Sequence, residues 1–463
     1  MAFLKRKDVN MLEGALIPKI IAFAVPLMLS NLLQVLYSAA DMIIVAQSGV
    51  AGAVGAIGTT TQVINLVVNS FIGFSIGANV LVARLIGARE DGRIPDAVHT
   101  AITAGLLFGL AGAVVGFFAA PTAMTLMGDE GAVWEMAVKY CRIRFVGLPL
   151  LALTNFSIAI FRAKGDSTTP LTVLSLSGAL NVALNLLFVR VFHMDVDGVA
   201  WATVAASFFS AAQLLFFLAK ERGPCHVSVS ALRIRWSELK EILSIGIPAA
   251  LQSVLYSLSN TIITSSVISV NNRVCPGGSF VVDGHAAAGS IESFMTTCGE
   301  ALTLSYVSFT SQHVGAKKFK RLRTFIADAY LCAVVFTLAF CALILLFRDP
   351  LLSLYISEPG AFETAHTRMW ILVTTYFLWV CMCAGGQILR GLGRSTTAML
   401  ITLISTCLLR IVWIYTVFAK YQTLESIYVS YPISWIIASV AQFTGVALCY
   451  RSIVKKTGAL PEK

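Results

Sequence analysis

The strongest constraint in this sequence is a series of apolar runs of about twenty residues or more, which recur from Ile17 to Tyr450. A helix needs about 20 apolar residues to cross the roughly 30 Å of hydrocarbon in a bilayer. Only 13% of the 463 residues are charged, whereas a soluble protein carries roughly 25%. The alternation of a β-barrel strand is absent. The sequence therefore predicts an all-α polytopic membrane protein.

The connections between these runs alternate in charge, which orients the chain. Basic residues cluster in every second connection, beginning with Lys5, Arg6 and Lys7, whereas "MGDEGAV" (127–133) and "ISEPGAF" (356–362) are acidic. The positive-inside rule places both termini in the cytoplasm, and we expect a multi-pass protein of the cell (inner) membrane. The net charge of +10 is then explained by basic residues in the cytoplasmic connections. Nucleic acid is therefore not an expected partner. We predict twelve spans, at roughly 17–46, 53–82, 97–120, 132–160, 168–191, 197–219, 241–269, 284–311, 322–347, 366–388, 397–419 and 426–450.

Three short phrases occur in both halves of the chain and in the same order. They are "VLYSAAD" (35–41) with "VLYSLSN" (254–260), "IGAREDGR" (86–93) with "VGAKKFKR" (314–321), and "RAKGDSTT" (162–169) with "RGLGRSTT" (390–397). Because each half holds six spans, both halves enter the membrane from the same side. We therefore expect two six-helix lobes related by a parallel pseudo-two-fold axis along the membrane normal, with a substrate cavity at their seam.

The domain boundaries follow from this duplication. We place the N-terminal lobe at 1–222, a basic cytoplasmic linker at 223–240 and the C-terminal lobe at 241–463. The ordered set of paired phrases resembles the multidrug and toxic compound extrusion (MATE) transporters, nearest the DinF-like branch. The resemblance covers residues 15–450 and implies export of amphipathic, cationic organic compounds. Flippases for lipid-linked oligosaccharides or other lipids share the general architecture and remain an alternative.

An ion gradient is the expected source of energy. The chain has no G-x-x-x-x-G-K-[ST] loop, so a nucleotide is not an expected partner, and the ten cysteines have no spacing typical of a metal site. We expect no cofactor, no catalytic residue and no bound metal. Protons are the expected coupling ion, with Na⁺ as the alternative. Ionisable residues inside the spans are the candidates for coupling, because they are costly to bury.

Asp41 is the first of these candidates. Gln34 and Asp41 belong to a polar stripe with three- and four-residue spacing on one face of the first helix. Asn181 and Asn185 lie one turn apart on another span and are expected at a similar depth, as polar partners of Asp41. The MATE resemblance implies a coupling role for Asp41, although the DinF-like pattern has an aspartate where Asn185 stands. Gln34 and Tyr37 are expected substrate or ion contacts.

The second half carries a different set of polar residues. Asn260 stands where the first half has Asp41, so coupling is expected to be asymmetric. Glu292 and Glu300 lie on one face of a later helix and are expected substrate or ion contacts. Neutral, hydrogen-bonded glutamic acids are the alternative, and Arg410 could neutralise one of them. Helices seven and ten lack the acidic residues that the resemblance implies for a NorM-type sodium site.

Pro26 and Pro248 interrupt the first helix of each lobe, and we expect them to act as hinges, because proline frees a carbonyl and permits a bend.

The outer segment 271–284 is longer than its counterpart, and we interpret it either as a lid or as an insertion. We expect a monomer in the lipid bilayer. A gated channel and a membrane-embedded enzyme are weaker alternatives, because neither a filter nor a cluster of catalytic residues is present in the sequence.

Overall fold

A computed structural model describes residues 8–47, 52–128 and 131–456. The basic residues Lys5, Arg6 and Lys7 and the acidic residues Asp129 and Glu130 lie outside the described residues, so the orientation of the chain stays a prediction. The helices before the linker are α1 (Leu16–Ala46), α2 (Ala53–Ala88), α3 (Ile94–Leu126), α4 (Gly131–Val146), α5 (Leu148–Lys164), α6 (Thr168–Val191) and α7 (Val196–Ala219).

The helices after the linker are α8 (Trp236–Val274), α9 (Phe280–Gly315), α10 (Phe319–Leu346), α11 (Arg348–Ser353), α12 (Pro359–Val373), α13 (Tyr376–Gly391), α14 (Ser395–Tyr421) and α15 (Leu424–Lys456). Helix α6 ends in a π-helical turn at Leu187–Val191. Helix α14 contains two such turns, at Leu403–Leu408 and Ile414–Phe418. These turns interrupt regular backbone hydrogen bonding close to the polar residues described below.

The described helices account for the predicted spans. Nine are long and apolar enough to cross a bilayer, and two bent pairs, α4–α5 at 47° and α12–α13 at 49°, raise the number to eleven. Helix α9 has 36 residues and is also long enough at about 1.5 Å per residue. It carries the acidic residues Asp283, Glu292 and Glu300. The prediction of an all-α membrane protein with about twelve spanning helices is confirmed.

The outer segment 271–284 is mostly helical, which corrects the prediction of a long loop. Helix α8 continues to Val274 and α9 starts at Phe280, so five residues connect them. The buried Asn271 side chain closes this turn, donating a hydrogen bond to the Gly278 carbonyl (2.8 Å) and accepting one from the Val281 amide (3.2 Å). A turn fixed by one side chain at both ends has too few free residues to form a lid.

The chain divides into two compact units. Unit 1 comprises residues up to Met11 and Val25–Ala250, and unit 2 comprises Leu12–Ala24 and the chain from Leu251 onward. The divisions inside α1 and α8 fall next to Pro26 and Pro248. Each long helix is therefore divided between the units, close to the proline that weakens its backbone hydrogen bonding. The hinge role of these prolines stays a prediction.

Close backbone packing holds the first part of α8 in unit 1. A Cβ added to Gly73 would lie 2.5 Å from Ala250 Cα, and one added to Gly77 would lie 2.1 Å from the Ile242 carbonyl oxygen. Only glycine permits this approach. The linker contributes further contacts within unit 1, because Arg93 forms an ion pair with Glu238 at 3.0 Å.

The segment Leu12–Ala24 is fixed within unit 2 by contacts to residues about 300 positions later. Phe23 packs edge-on against Phe309 at 5.8 Å between ring centroids. The Lys318 ammonium donates to the Leu12 carbonyl at 3.1 Å, and Arg321 donates to the Gly14 carbonyl at 2.6 Å. These contacts explain why the start of α1 belongs to unit 2.

Candidate functional site

A chain of hydrogen bonds links polar side chains of α1, α6 and α7 within unit 1. The Asn185 amide donates to a carboxylate oxygen of Asp41 and, at 3.3 Å, to the side-chain oxygen of Asn181. Asn181 donates in turn to the Thr203 hydroxyl at 3.4 Å. Asn185 is fully buried, whereas Asp41 is partly accessible. The structure therefore brings together the three residues that the sequence singled out for ion coupling.

One polar atom of this cluster has no partner. The Asn185 side-chain oxygen is buried and accepts no hydrogen bond from the described residues. A buried acceptor without a donor is costly, by about 1–3 kcal/mol. A proton or a small cation brought to Asp41 would supply what this oxygen lacks. The cluster is therefore incomplete in a way that suits a positively charged ligand.

Tight packing positions Asp41 against α6. The Tyr37 ring covers Gly178 so closely that an added Cβ would lie 1.7 Å from the ring. The Tyr37 hydroxyl donates to the Ser175 carbonyl at 3.1 Å. Tyr37 thus fixes α1 to α6 one turn before Asp41, while Gln34, a further turn away, is exposed. Gln34 is the more accessible of the two α1 residues predicted as substrate or ion contacts.

Arg144 of α4 acts on this site electrostatically, although the sequence pattern favours a solvated or snorkelling side chain there. Its charge acts electrostatically on both Asp41 and Tyr140. The Nε atom is buried and lacks a hydrogen-bond partner among the described residues. Its position well inside a predicted span was the available signal, because basic residues at such depth are costly. Asp41 therefore has both a neutral amide partner and a nearby positive charge.

Unit 2 has a neutral amide where unit 1 has an acid, and a buried cation is bonded to that amide. Asn260, the counterpart of Asp41, accepts a hydrogen bond from Arg410 Nη1 at 3.3 Å. Arg410 Nε donates to the Ser434 hydroxyl at 3.0 Å, and the guanidinium lies 4.1 Å from the centroid of the Tyr431 ring. Arg410 is fully buried. It forms no ion pair with either glutamate of α9, so the suggested neutralisation by Arg410 is wrong.

Glu292 is paired with a different arginine. Its carboxylate accepts hydrogen bonds from Arg368 Nη2 at 2.7 Å and Nε at 3.2 Å, and from the Tyr376 hydroxyl at 2.9 Å. The glutamate is 1% exposed and the arginine side chain 11%. The ring of His285 lies against the same guanidinium, with Nε2 2.7 Å from Nη1. Glu292 is thus a compensated buried anion.

Glu300 differs from Glu292 in both exposure and pairing. It lies eight residues further along α9, about 12 Å away at 1.5 Å per residue. The residue is exposed, and its carboxylate makes no hydrogen bond or ion pair with any described residue. Of the two predicted glutamates on α9, Glu300 alone presents a carboxylate that is open to a ligand.

Ionisable side chains deep within long apolar helices, arranged in two helical units, define a multi-pass membrane transporter. The MatE family model matches residues 26–187 and 248–416. The chain belongs to this family, whose members are transporters and not enzymes. Both matched segments start at or near the helix-interrupting prolines, so each contains one copy of the repeated phrases.

Curated relatives and solved structures agree with this membership. The chain is 27% identical to the probable multidrug resistance protein YoeA of Bacillus subtilis, over 82% of this chain and 81% of that protein. It is 24% identical to the FAD transporter of Shewanella oneidensis, over 76% and 75%. The fold matches a multidrug resistance MATE transporter solved in an outward-facing conformation, with a TM-score of 0.87, 22% identity and coverage of 97% and 99%.

Proposed function

We propose that this protein is a proton-coupled antiporter that exports amphipathic organic cations. The observation that carries the proposal is the bond from Asn185 to Asp41, beside a buried amide oxygen that lacks a donor. The relatives named for multidrug resistance support the substrate class. An ion gradient is the appropriate energy source, because the chain contains no nucleotide-binding loop.

Protonation of Asp41 would change which hydrogen bonds this cluster can make. An ionised carboxylate only accepts hydrogen bonds, whereas a protonated one also donates. The deprotonated form accepts from the Asn185 amide nitrogen, and the protonated form can donate to the orphaned Asn185 oxygen. The protonated and the deprotonated form of Asp41 therefore favour different arrangements of α1 against α6. Pro26, four turns before Asp41, is the expected hinge, and Pro248 is its counterpart in α8.

The exposed carboxylate of Glu300 is the proposed contact for the cationic group of the substrate. An unpaired negative charge attracts cations, and the attraction strengthens where water is scarce. In unit 1, the exposed Gln34 on α1 is a separate proposed substrate contact. Glu292 is not assigned this role, because Arg368 and Tyr376 already occupy its oxygens.

Sodium is the second candidate for the coupling ion. Oxygen ligands bind hard cations, and Asp41, Asn185 and Thr203 place carboxylate, amide and hydroxyl oxygens in one cluster. The specific observation in its favour is again the unpartnered Asn185 oxygen. Protons are preferred because the cluster contains a single carboxylate, with Arg144 nearby to oppose a second positive charge.

Transport in liposomes tests the proposal. The purified protein would be reconstituted, and uptake of rhodamine 123, an organic cation, followed under an imposed pH gradient or an imposed sodium gradient. We expect uptake to follow the pH gradient and Asp41→Asn to reduce it to the level of protein-free liposomes. Asp91→Asn is the matched control, because Asp91 is exposed in the turn between α2 and α3.

The alternative outcomes discriminate between the rival functions. Uptake that responds to sodium alone would contradict proton coupling but retain cation export. No uptake under either gradient would contradict cation export, and a lipid-flipping assay with fluorescent phospholipid would then be the next measurement. Equal loss in Asp41→Asn and Asp91→Asn would show that the effect is not specific to the site.

A further inference from the structure

Arg410 is a buried cation without a counter-charge. It lies 11 residues from the end of α14 at Tyr421, a depth of about 16 Å at 1.5 Å per residue. Its partners are the neutral oxygens of Ser434 and Asn260, and its Nη2 atom is buried with no hydrogen-bond partner among the described residues. The guanidinium thus has an unpaired N–H donor and no carboxylate among the described residues as its acceptor.

Such an arrangement is costly unless something compensates the charge. A buried ion that has lost one partner is destabilising by several kcal/mol, because desolvation is not offset. Arg368 in the same unit illustrates the compensated case, since Glu292 binds it through two nitrogens. Arginine cannot discharge itself by losing its proton in a protein. A charge of this kind therefore calls for an anion from outside the chain.

The surroundings of Arg410 are suited to holding such an anion. The Tyr431 ring lies 4.1 Å and the Tyr256 ring 5.9 Å from the guanidinium carbon. Faces of aromatic rings stabilise and orient a guanidinium, which leaves its planar edge for an oxyanion. The π-helical turns on both sides of Arg410 in α14 are a feature common at functional sites.

Glu300 of α9, in the same unit, is an exposed carboxylate without a hydrogen-bond or ion-pair partner among the described residues. Tyr256 interacts electrostatically with both Arg410 and Glu300, yet the two charged side chains do not form an ion pair. Unit 2 therefore holds a buried positive group over the Tyr256 ring and a negative group that interacts electrostatically with the same tyrosine, and neither has a counter-charge in the described part of the chain. A ligand carrying both signs of charge would satisfy both groups at once.

We infer that Arg410 binds the carboxylate or phosphate group of the transported molecule, so that the preferred substrates are zwitterions whose cationic end meets Glu300. The inference rests on the proposed function for the role of Glu300. The pairing of a guanidinium with an oxyanion is planar and two-pronged, and it uses the free Nη2. The similarity to an FAD transporter, a protein named for a ligand with phosphate groups, is consistent with an anionic contact.

A matched pair of dyes tests this assignment. Rhodamine 110 carries a free carboxylate, and rhodamine 123 is its methyl ester, so the two differ in that charge and in one methyl group. Binding of each to the purified protein would be measured by fluorescence anisotropy in detergent, without any gradient. We expect rhodamine 110 to bind more tightly to the wild type. Arg410→Gln should weaken its binding about tenfold and change the binding of rhodamine 123 by less than about twofold.

Equal binding of the two dyes to the wild type, or an equal change for both in Arg410→Gln, would overturn the assignment. If Arg410→Gln fails to fold, benzoate competition on the wild type replaces it. Benzoate should displace rhodamine 110 more effectively than rhodamine 123. If chloride displaces rhodamine 110 and benzoate does not, Arg410 binds an inorganic anion, which would contradict the proposal. Failure of the proposed function is distinct, because it appears as loss of gradient-driven uptake of rhodamine 123.

Discussion

The two units differ in charge at the same position of a repeated phrase, which holds an acid in unit 1 and a neutral amide in unit 2. In unit 1, "VLYSAAD" ends in Asp41, which accepts a hydrogen bond from Asn185. In unit 2, "VLYSLSN" ends in Asn260, which accepts one from Arg410. A carboxylate can take up and release a proton, whereas a guanidinium stays charged. The duplication has thus retained the helices while placing a carboxylate at this position in unit 1 alone.

Moving the acid from one unit to the other tests this asymmetry most severely. The double variant Asp41→Asn, Asn260→Asp retains one carboxylate at the repeated position, but Arg410 would hold it in an ion pair. We therefore expect proton-driven uptake of rhodamine 123 to stay at the level of protein-free liposomes. Asn260→Asp alone should still transport. Recovery of uptake in the double variant would mean that the two positions are equivalent.

The buried pair of unit 2 should matter for stability. Glu292→Gln leaves Arg368 buried without its counter-charge, and we expect the free energy of unfolding to fall by about 3–5 kcal/mol. Thermal unfolding in detergent would report the loss. Adding Arg368→Met should restore most of it, because the uncompensated charge is removed with its partner.

The control for that comparison is Glu358→Gln, which alters an exposed glutamate near the start of α12. It should change the free energy of unfolding by less than about 0.5 kcal/mol. A Glu292→Gln variant as stable as this control would show that the Arg368 pair contributes little to the fold.

Glu300 should behave in the opposite way from Glu292. Because its carboxylate is exposed and unpaired, Glu300→Gln should change the free energy of unfolding by less than about 0.5 kcal/mol. The affinity for rhodamine 123 should fall about fivefold, which corresponds to about 1 kcal/mol for an exposed charge pair. Fluorescence anisotropy checks the affinity. A large stability loss with unchanged affinity would reverse the roles assigned to the two glutamates.

Local periodicity predicted the helix faces that carry the unit 1 cluster, and similar depth in the membrane suggested that these faces meet. The spacing of Asn181 and Asn185 places both on one face of a helix, and Asp41 lies on a polar stripe of another. Such patterns can be read without knowing the fold, because residues three or four apart share a helix face. The structure brings these residues together, as their similar expected depth suggested.

The pairing of Glu292 could not be predicted in this way. Arg368 follows it by 76 residues, and the predicted span began at 366, which placed Arg368 near the membrane surface. Helix α12 starts at Pro359, so Arg368 is nine residues further in and becomes buried against α9. Helix ends are set by turn chemistry and tertiary packing as well as by hydropathy. The partner of Arg410 was misjudged for the same reason, since only packing selects among distant polar groups.

The division of α1 between the units has a consequence for biosynthesis. Leu12–Ala24 leaves the ribosome among the first residues, but its partners Phe309, Lys318 and Arg321 are about 300 residues later. At about 5–20 residues per second, translation of that interval takes roughly 15–60 s. Throughout this time the apolar start of α1 lacks its final neighbours and must be shielded by lipid or by the insertion machinery. The earliest part of the nascent chain is thus among the last to reach its native contacts.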